Sequence, residues 1–341
     1  MVYSEDFEDF EGLPPIKNAP RERKISLNKR KPNREPKRSE EEILASLVDD
    51  VDDLESLSFT YHASRHERGW IVNALQRFYD QRWIIDVLRL VKGGKEASVY
   101  QCAGNPKITD RYIAAKIYRP RRFRQLKNDH LYREGRERLD LDGHVVLDGG
   151  MQHAMNKRTA YGLELLHTSW IEHEFKTLRI LHGAGADVPV PYASGENTIL
   201  MSYIGGETVP APTLNTIELG ISEARQLFER VVHNIELMLA HERVHGDLSA
   251  FNILYWEGEI TLIDFPQAIS PMENRNAFRI FERDVTRISE YFSRQGVPVN
   301  PKKLAADLWT SYRYRIKPEV DLRLLNPDDE QDRAYWEGFK E

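Results

Sequence analysis

The sequence predicts an α+β chain with a small antiparallel-sheet lobe followed by a mainly helical lobe. Two observations carry this. Between residues 84 and 118, β-branched runs alternate with a glycine turn and a loop, with no helical crossover of the kind parallel strands need. After residue 222 the apolar residues switch to helical spacing. Polar motifs sit where the two patterns meet, and a cleft between lobes is a common place to bind a nucleotide.

The chain has 341 residues, enough for one large domain or two smaller ones with a sizeable core. Hydrophobic residues make up 40% and charged residues 30%, as in a globular protein with some solvated segments. A net charge of -6 excludes a global cationic field, so nucleic-acid binding would need a local basic patch. The single cysteine, Cys102, excludes a disulfide framework or thiolate metal site within one chain and fits a reducing compartment. The acidic start lacks the apolar stretch of a secretory signal, and no run of about 18 apolar residues occurs. The expectation is a cytoplasmic protein with no membrane partner.

Residues 1–40 read as a disordered charged tail, acidic first and then basic from Lys17 to Arg38. A solvated tail is the simpler reading, and docking on RNA is the alternative. Residues 41–84 read as an N-terminal helical extension. A short acidic helix reaches about residue 56, and a better one over 66–84 carries Trp70, Ile71, Leu75, Phe78 and Trp83. The sheet lobe spans 85–204, with strands from Ile84, over Ser98–Cys102, over Tyr112–Tyr118 and over Thr198–Tyr203. Residues 119–168 interrupt it as a polar, flexible insertion. A helix from about Ser169 to His182 follows. The helical lobe spans 205–300, with Ser222 as a plausible N-cap, and 301–341 is a C-terminal helical extension.

The strongest chemical signal is HGDLSAFNIL over 245–254, followed by LIDFPQA over 262–268. A loop and a strand end can aim Asp247, Asn252 and Asp264 at one spot. Hard oxygen donors of this kind suit Mg²⁺ or Mn²⁺, with phosphate oxygens and water completing the shell. Asn252 and Asp264 are the metal candidates, and Asp247 is left to orient or accept the proton of an attacking hydroxyl. Each residue alone has an ordinary structural use; their order and spacing together point to catalysis.

GGKEASVY over 93–100 lies between two strands. Gly94 lets backbone N–H groups approach phosphate, Lys95 and Ser98 add donors, and Val99 follows on the strand. In the next strand Lys116 shares a face with Ala114 and Tyr118. A lysine among apolar neighbours is costly without a partner. Glu174 falls on the apolar face set by Ile171, Phe175 and Leu178, whereas Glu172 points away, so Glu174 is the expected partner. At the end of the strand over 198–203, Met201, Ser202 and Ile204 precede a Gly-Gly break. They read as the adenine-binding hinge, with Met201 deep in the pocket.

The set GKEASVY, AAKIYR, HGDLSAFNIL and LIDFPQA closely resembles the RIO family of atypical serine/threonine protein kinases, over about Leu88 to Gly296. It is more similar to the first subfamily than to the second, which carries an N-terminal winged helix. The resemblance implies a truncated two-lobed protein-kinase-like fold with no activation loop, and ATP with Mg²⁺ or Mn²⁺ as cofactors. It implies Asp247 as proton acceptor, Lys116 as the phosphate-positioning lysine, and Asn252 and Asp264 as metal ligands. An aspartyl phosphate at Asp264, giving an ATPase-like cycle, is a further implication. Ribosomal RNA or a pre-ribosomal particle is the implied partner, and the protein substrate is left open. Ser98 and Ala250 stand where the family often has acidic residues, and Ser202 replaces a frequent hinge glutamate. Two other readings compete: a small-molecule phosphotransferase of the aminoglycoside or choline kinase kind, and a non-catalytic ATP-sensing assembly factor.

Overall fold

The computed structural model describes residues 57–107, 110–119 and 136–315. The expected tail over 1–40, the acidic helix before residue 56, most of the Arg-rich start of the insertion and the weakly patterned residues after 326 lie outside these.

The first described helix, α1 (Arg65–Asp80), starts where the Ser64 side chain accepts from the Glu67 amide. Its Trp70, Ile71, Leu75 and Phe78 are buried. Strands β1 (Ile84–Gly93), β2 (Ala97–Gly104), β3 (Tyr112–Tyr118), β4 (Pro191–Ser194) and β5 (Thr198–Ser202) form one antiparallel sheet in the order β1-β2-β3-β5-β4. Lys116 sits opposite Val99 on one side and Ile199 on the other.

The period of two along β3 sorts its side chains onto two faces. Ile113, Ala115 and Ile117 pack with Leu75 and Phe78 of α1 in one core cluster. Ala114 and Tyr118 join a second cluster with Ile171 and Leu178. Lys116 therefore projects to the second face, toward the helix that carries Ile171.

The insertion differs from the sequence expectation. Helix α2 (Gly149–Lys157) forms where Gly149-Gly150 suggested flexibility, because the Asp148 carboxylate accepts from the Met151 amide and caps its first turn. Helix α3 (Ala160–Gly183) begins nine residues before the expected Ser169. Thr159 supplies its cap by accepting from the Gly162 amide at 3.0 Å.

Helix α4 (Ile221–Ala240) buries Leu227, Val231, Ile235 and Met238, the face its spacing predicts. Its cap is Gly220 rather than Ser222. The Ala224 amide bonds the Gly220 carbonyl at 2.8 Å, so the first turn closes two residues before that serine. Strands β6 (Ile253–Trp256) and β7 (Glu259–Leu262) make a separate hairpin. Helices α5 (Ala277–Arg294) and α6 (Pro301–Ser311) follow. Trp309 of α6 stacks on Phe281 of α5 with ring centroids 5.2 Å apart. No helix among the described residues is long and apolar enough to cross a membrane.

Candidate active site

Lys116 and Glu174 meet as their positions predict. The Lys116 ammonium donates to Glu174 Oε1 at 2.8 Å, with the Glu174 side chain 1% exposed. The Tyr118 hydroxyl donates to the other oxygen of Glu174. The same ammonium donates to Asp264 Oδ1 at 2.5 Å. One cation thus ties β3, α3 and the segment after β7. Burial works against the charge on Lys116, but Asp264 and Glu174 outweigh it and hold its pKa well above the ordinary lysine range. Burial pushes Asp264 up, yet Lys116 more than offsets this and keeps the carboxylate below its ordinary range. Glu172 is also buried, but apart from this network, with its Oε2 3.8 Å from where a Cβ on Gly143 would stand.

The second group forms around Asp247. Asn252 donates from Nδ2 to the Asp247 carbonyl at 2.8 Å and, at 3.3 Å, to its carboxylate Oδ2. The Ile263 amide donates to the Asn252 carbonyl at 3.0 Å, which places Asn252 beside the residue preceding Asp264. His245 accepts at Nδ1 from the Asp247 amide at 3.3 Å, and its Nε2–H donates to the Ile263 carbonyl at 3.1 Å. Loop and strand end are thereby stitched together through Ile263. Gly246 makes this possible: its φ is +83°, and an added Cβ would lie 2.2 Å from the Gln267 carbonyl oxygen. Asp264 itself adopts a left-handed φ of 72°, unusual for a residue with a side chain.

The glycine turn places Gly94 so close to the chain that an added Cβ would meet the Ala97 carbonyl oxygen at 2.9 Å. Lys95 is exposed, Ser98 is buried, and Val99 packs partly buried against the larger core cluster. Met201 is buried at the end of β5, opposite Ala114. The Ser202 amide donates to the Val190 carbonyl at 2.9 Å, and the Ile204 carbonyl accepts from the Ala211 amide at 3.1 Å. Two backbone groups of the segment expected to form the hinge are therefore used within the protein.

Several residues that hold this site escaped sequence reasoning. Buried Asp284 of α5 accepts from the Gly246 amide at 2.9 Å. Arg283 donates to the Gly246 carbonyl, and Arg287 donates to Asp247 Oδ1 at 2.8 Å. Arg136, from the insertion, donates to the carbonyls of Pro266 at 2.9 Å and Ala268 at 3.1 Å. His173 donates from Nε2 to the Ala268 carbonyl at 2.9 Å. The insertion and α3 thus anchor the segment that follows Asp264. For Asp284 the sequence did offer a signal: in FERDVTRISEYF it falls on the apolar face set by Phe281, Val285 and Ile288, where a carboxylate calls for a partner.

A family model described as the RIO domain matches residues 98–304. The chain is 31% identical over 135 residues to the RIO-type serine/threonine-protein kinase Rio1 of Thermoplasma acidophilum, a match covering 40% of this chain and 69% of that one. It is 26% identical over 226 residues to the serine/threonine-protein kinase RIO1 of Caenorhabditis elegans, covering 66% of this chain and 40% of the relative. It is 32% identical over 130 residues to the human serine/threonine-protein kinase RIO3, covering 38% of this chain and 25% of the relative. The eukaryotic relatives are thus matched over less than half their length. With the family model spanning more than half of the sequence and the sheet, hairpin and helices arranged as described, the chain belongs to the RIO family of serine/threonine protein kinases.

Proposed function

We propose that this chain transfers the γ-phosphoryl group of ATP, with Mg²⁺ or Mn²⁺, to a serine or threonine hydroxyl of a protein. The observation that carries the reading is the convergence of two hydrogen-bonded groups, Lys116–Glu174–Asp264 and Asp247–Asn252, on the two sides of Ile263.

The donor set fits a hard divalent cation. Asp264 offers a carboxylate, 44% exposed, and Asn252, whose Nδ2 is turned to Asp247, keeps its amide oxygen for a ligand. Bound there, the cation would neutralise charge on the phosphate oxygens. Lys116, fixed by Glu174, is the residue proposed to hold the α- and β-phosphates. Gly94, Lys95 and Val99 would cover the phosphates, with backbone amides and the Lys95 ammonium as donors. Ser98 is not the donor its place in the motif suggests, because its side chain is buried on the face of β2 shared with Tyr100 and Cys102, away from Val99 and Lys116. Met201 would line the adenine pocket, with the Ser202 carbonyl and Ile204 amide as its edge contacts. Asp247 would take the proton of the attacking hydroxyl as its oxygen bonds to phosphorus and the bond to ADP breaks.

A second reading keeps the same residues but makes Asp264 the acceptor. Its favouring observation is a carboxylate in a left-handed backbone conformation, oriented by Lys116 at one oxygen. Incubation with γ-labelled ATP and Mg²⁺ separates the two. Label that is stable to hydroxylamine supports transfer to a hydroxyl. Label released by hydroxylamine supports an acyl phosphate at Asp264, and neither labelled protein nor free phosphate counts against both. We extend the proposal to a pre-ribosomal RNA–protein partner, supported by the family resemblance and by the basic residues from Lys17 to Arg38 and from Arg119 to Arg124. Binding that is flat in salt would contradict it.

A further inference from the structure

Helix α5 reaches the loop over residues 245–252 at two levels. Asp284 and Arg283 engage the main chain of Gly246. Arg287, three residues beyond Asp284 and so on the same helix face, engages instead a side chain, donating Nη1 to Asp247 Oδ1 at 2.8 Å. The other carboxylate oxygen, Oδ2, accepts from the Asn252 amide at 3.3 Å and from no other side chain among the described residues. The two oxygens of Asp247 therefore differ in kind: one is held by a fixed cation, the other by a long neutral contact.

We propose that Arg287 is a positioning residue for phosphoryl transfer, clamping Oδ1 of Asp247 so that Oδ2 is the oxygen that receives the substrate proton. The proposal rests on the reading of Asp247 as proton acceptor. A carboxylate free to turn about its last torsion presents either oxygen in a range of directions. A charge-assisted hydrogen bond from a guanidinium removes that freedom, because arginine keeps its charge and its planar donors at any working pH. Oδ1, already accepting from a cation, is the poorer base, which leaves Oδ2. In the transfer step the hydroxyl O–H bond breaks, its oxygen bonds to phosphorus, the bond to the ADP oxygen breaks, and the proton goes to Oδ2. Arg287 keeps all its protons throughout.

The loop's backbone does not depend on this contact. Gly246 retains Asp284 and Arg283, and Asn252 retains the Asp247 carbonyl and the Ile263 amide. Loss of Arg287 should therefore misdirect one side chain without unfolding the loop. The contact is also reachable from solvent, the Arg287 and Asp247 side chains being 32% and 41% exposed. A small guanidinium ion can enter the space that a truncation leaves.

The test uses the full chain and γ-labelled ATP with Mg²⁺, comparing Arg287→Ala, Arg287→Lys and Asp247→Asn. Arg287→Ala should lower kcat about 10²-fold, the scale on which misplacement of a reacting group is felt. Its KM for ATP should stay within about 2-fold, since no nucleotide contact is lost. Arg287→Lys should recover part of the rate, and millimolar guanidinium should raise the rate of Arg287→Ala but not of the wild type or Asp247→Asn. If Arg287→Ala does not fold, Arg287→Gln is measured in its place with the same readouts. A wild-type kcat in the truncated variant overturns the proposal, and so does a loss that neither lysine nor guanidinium relieves. Full activity in Asp247→Asn would instead overturn the reading of Asp247 itself.

Discussion

Lys116 donates to Glu174 at 2.8 Å and to Asp264 at 2.5 Å from one buried ammonium, so a single cation neutralises a carboxylate of the sheet-bearing half and one of the loop after β7. The two partners are not equivalent. Glu174 is 1% exposed and depends on Lys116, whereas Asp264 is 44% exposed and has water as an alternative.

Removing the ammonium should therefore hurt through Glu174. Lys116→Ala is expected to cost about 3–5 kcal/mol in urea unfolding, the scale of breaking a buried ion pair. Lys116→Ala combined with Glu174→Gln should cost less than the sum of the single changes, because the stranded charge is gone. Additive losses would show that the two residues are not coupled.

The backbone of Asp264 offers a second check. At φ 72° a side chain costs about 1–2 kcal/mol that glycine does not bear. Asp264→Gly should consequently unfold at higher temperature than Asp264→Ala, although both lose the contact to Lys116 and both are expected to be inactive. Equal melting temperatures would mean that the left-handed turn carries no strain.

Two neighbours on α3 should oppose each other in pH dependence. Burial, reinforced by the charge of Arg136, pulls the His173 imidazole down from 6.5 to about 3. Its contribution is complete above 6.5 and is lost as pH falls through about 3. Burial, with Asp140 and Asp142 adding to it against a hydrogen bond from Ser194, pushes the Glu172 carboxyl up from 4.5 to about 7. That contribution is complete below 4.5 and is lost as pH rises through about 7. Between pH 4.5 and 6.5 the two slopes cancel in part. Glu172→Gln should make stability rise more steeply with pH there, by up to about 1.4 kcal/mol per pH unit. His173→Gln should tilt it the other way. Urea midpoints of the two variants that follow the wild-type profile would contradict this assignment.

The Lys116–Glu174 pair was legible because both halves leave local marks: a lysine on an apolar strand and a glutamate on an apolar helix face. Most strands were legible through local runs of β-branched and aromatic residues, but β4 (Pro191–Ser194) was not, because PYAS begins with a proline and carries no such run. Nor were the supports of the loop over 245–252. Asp284, Arg136 and His173 act on main-chain groups of Gly246, Pro266 and Ala268, and a backbone amide or carbonyl does not show in the sequence which side chain it will meet. Helix α2 was missed because eight of its nine residues are not buried, which leaves no apolar stripe to read, and its start depends on one capping contact from Asp148.

The most direct test measures Mg²⁺-dependent consumption of ATP by the full chain beside Asp247→Asn, Asp264→Asn and Lys116→Ala, each first shown to fold by circular dichroism. Turnover should require the metal, stop on chelation, and fall by at least about 10²-fold in each variant, as for loss of a group that acts in the transition state. Wild-type turnover in any of the folded variants, or turnover indifferent to chelator, would contradict the assignment of phosphoryl transfer to these residues.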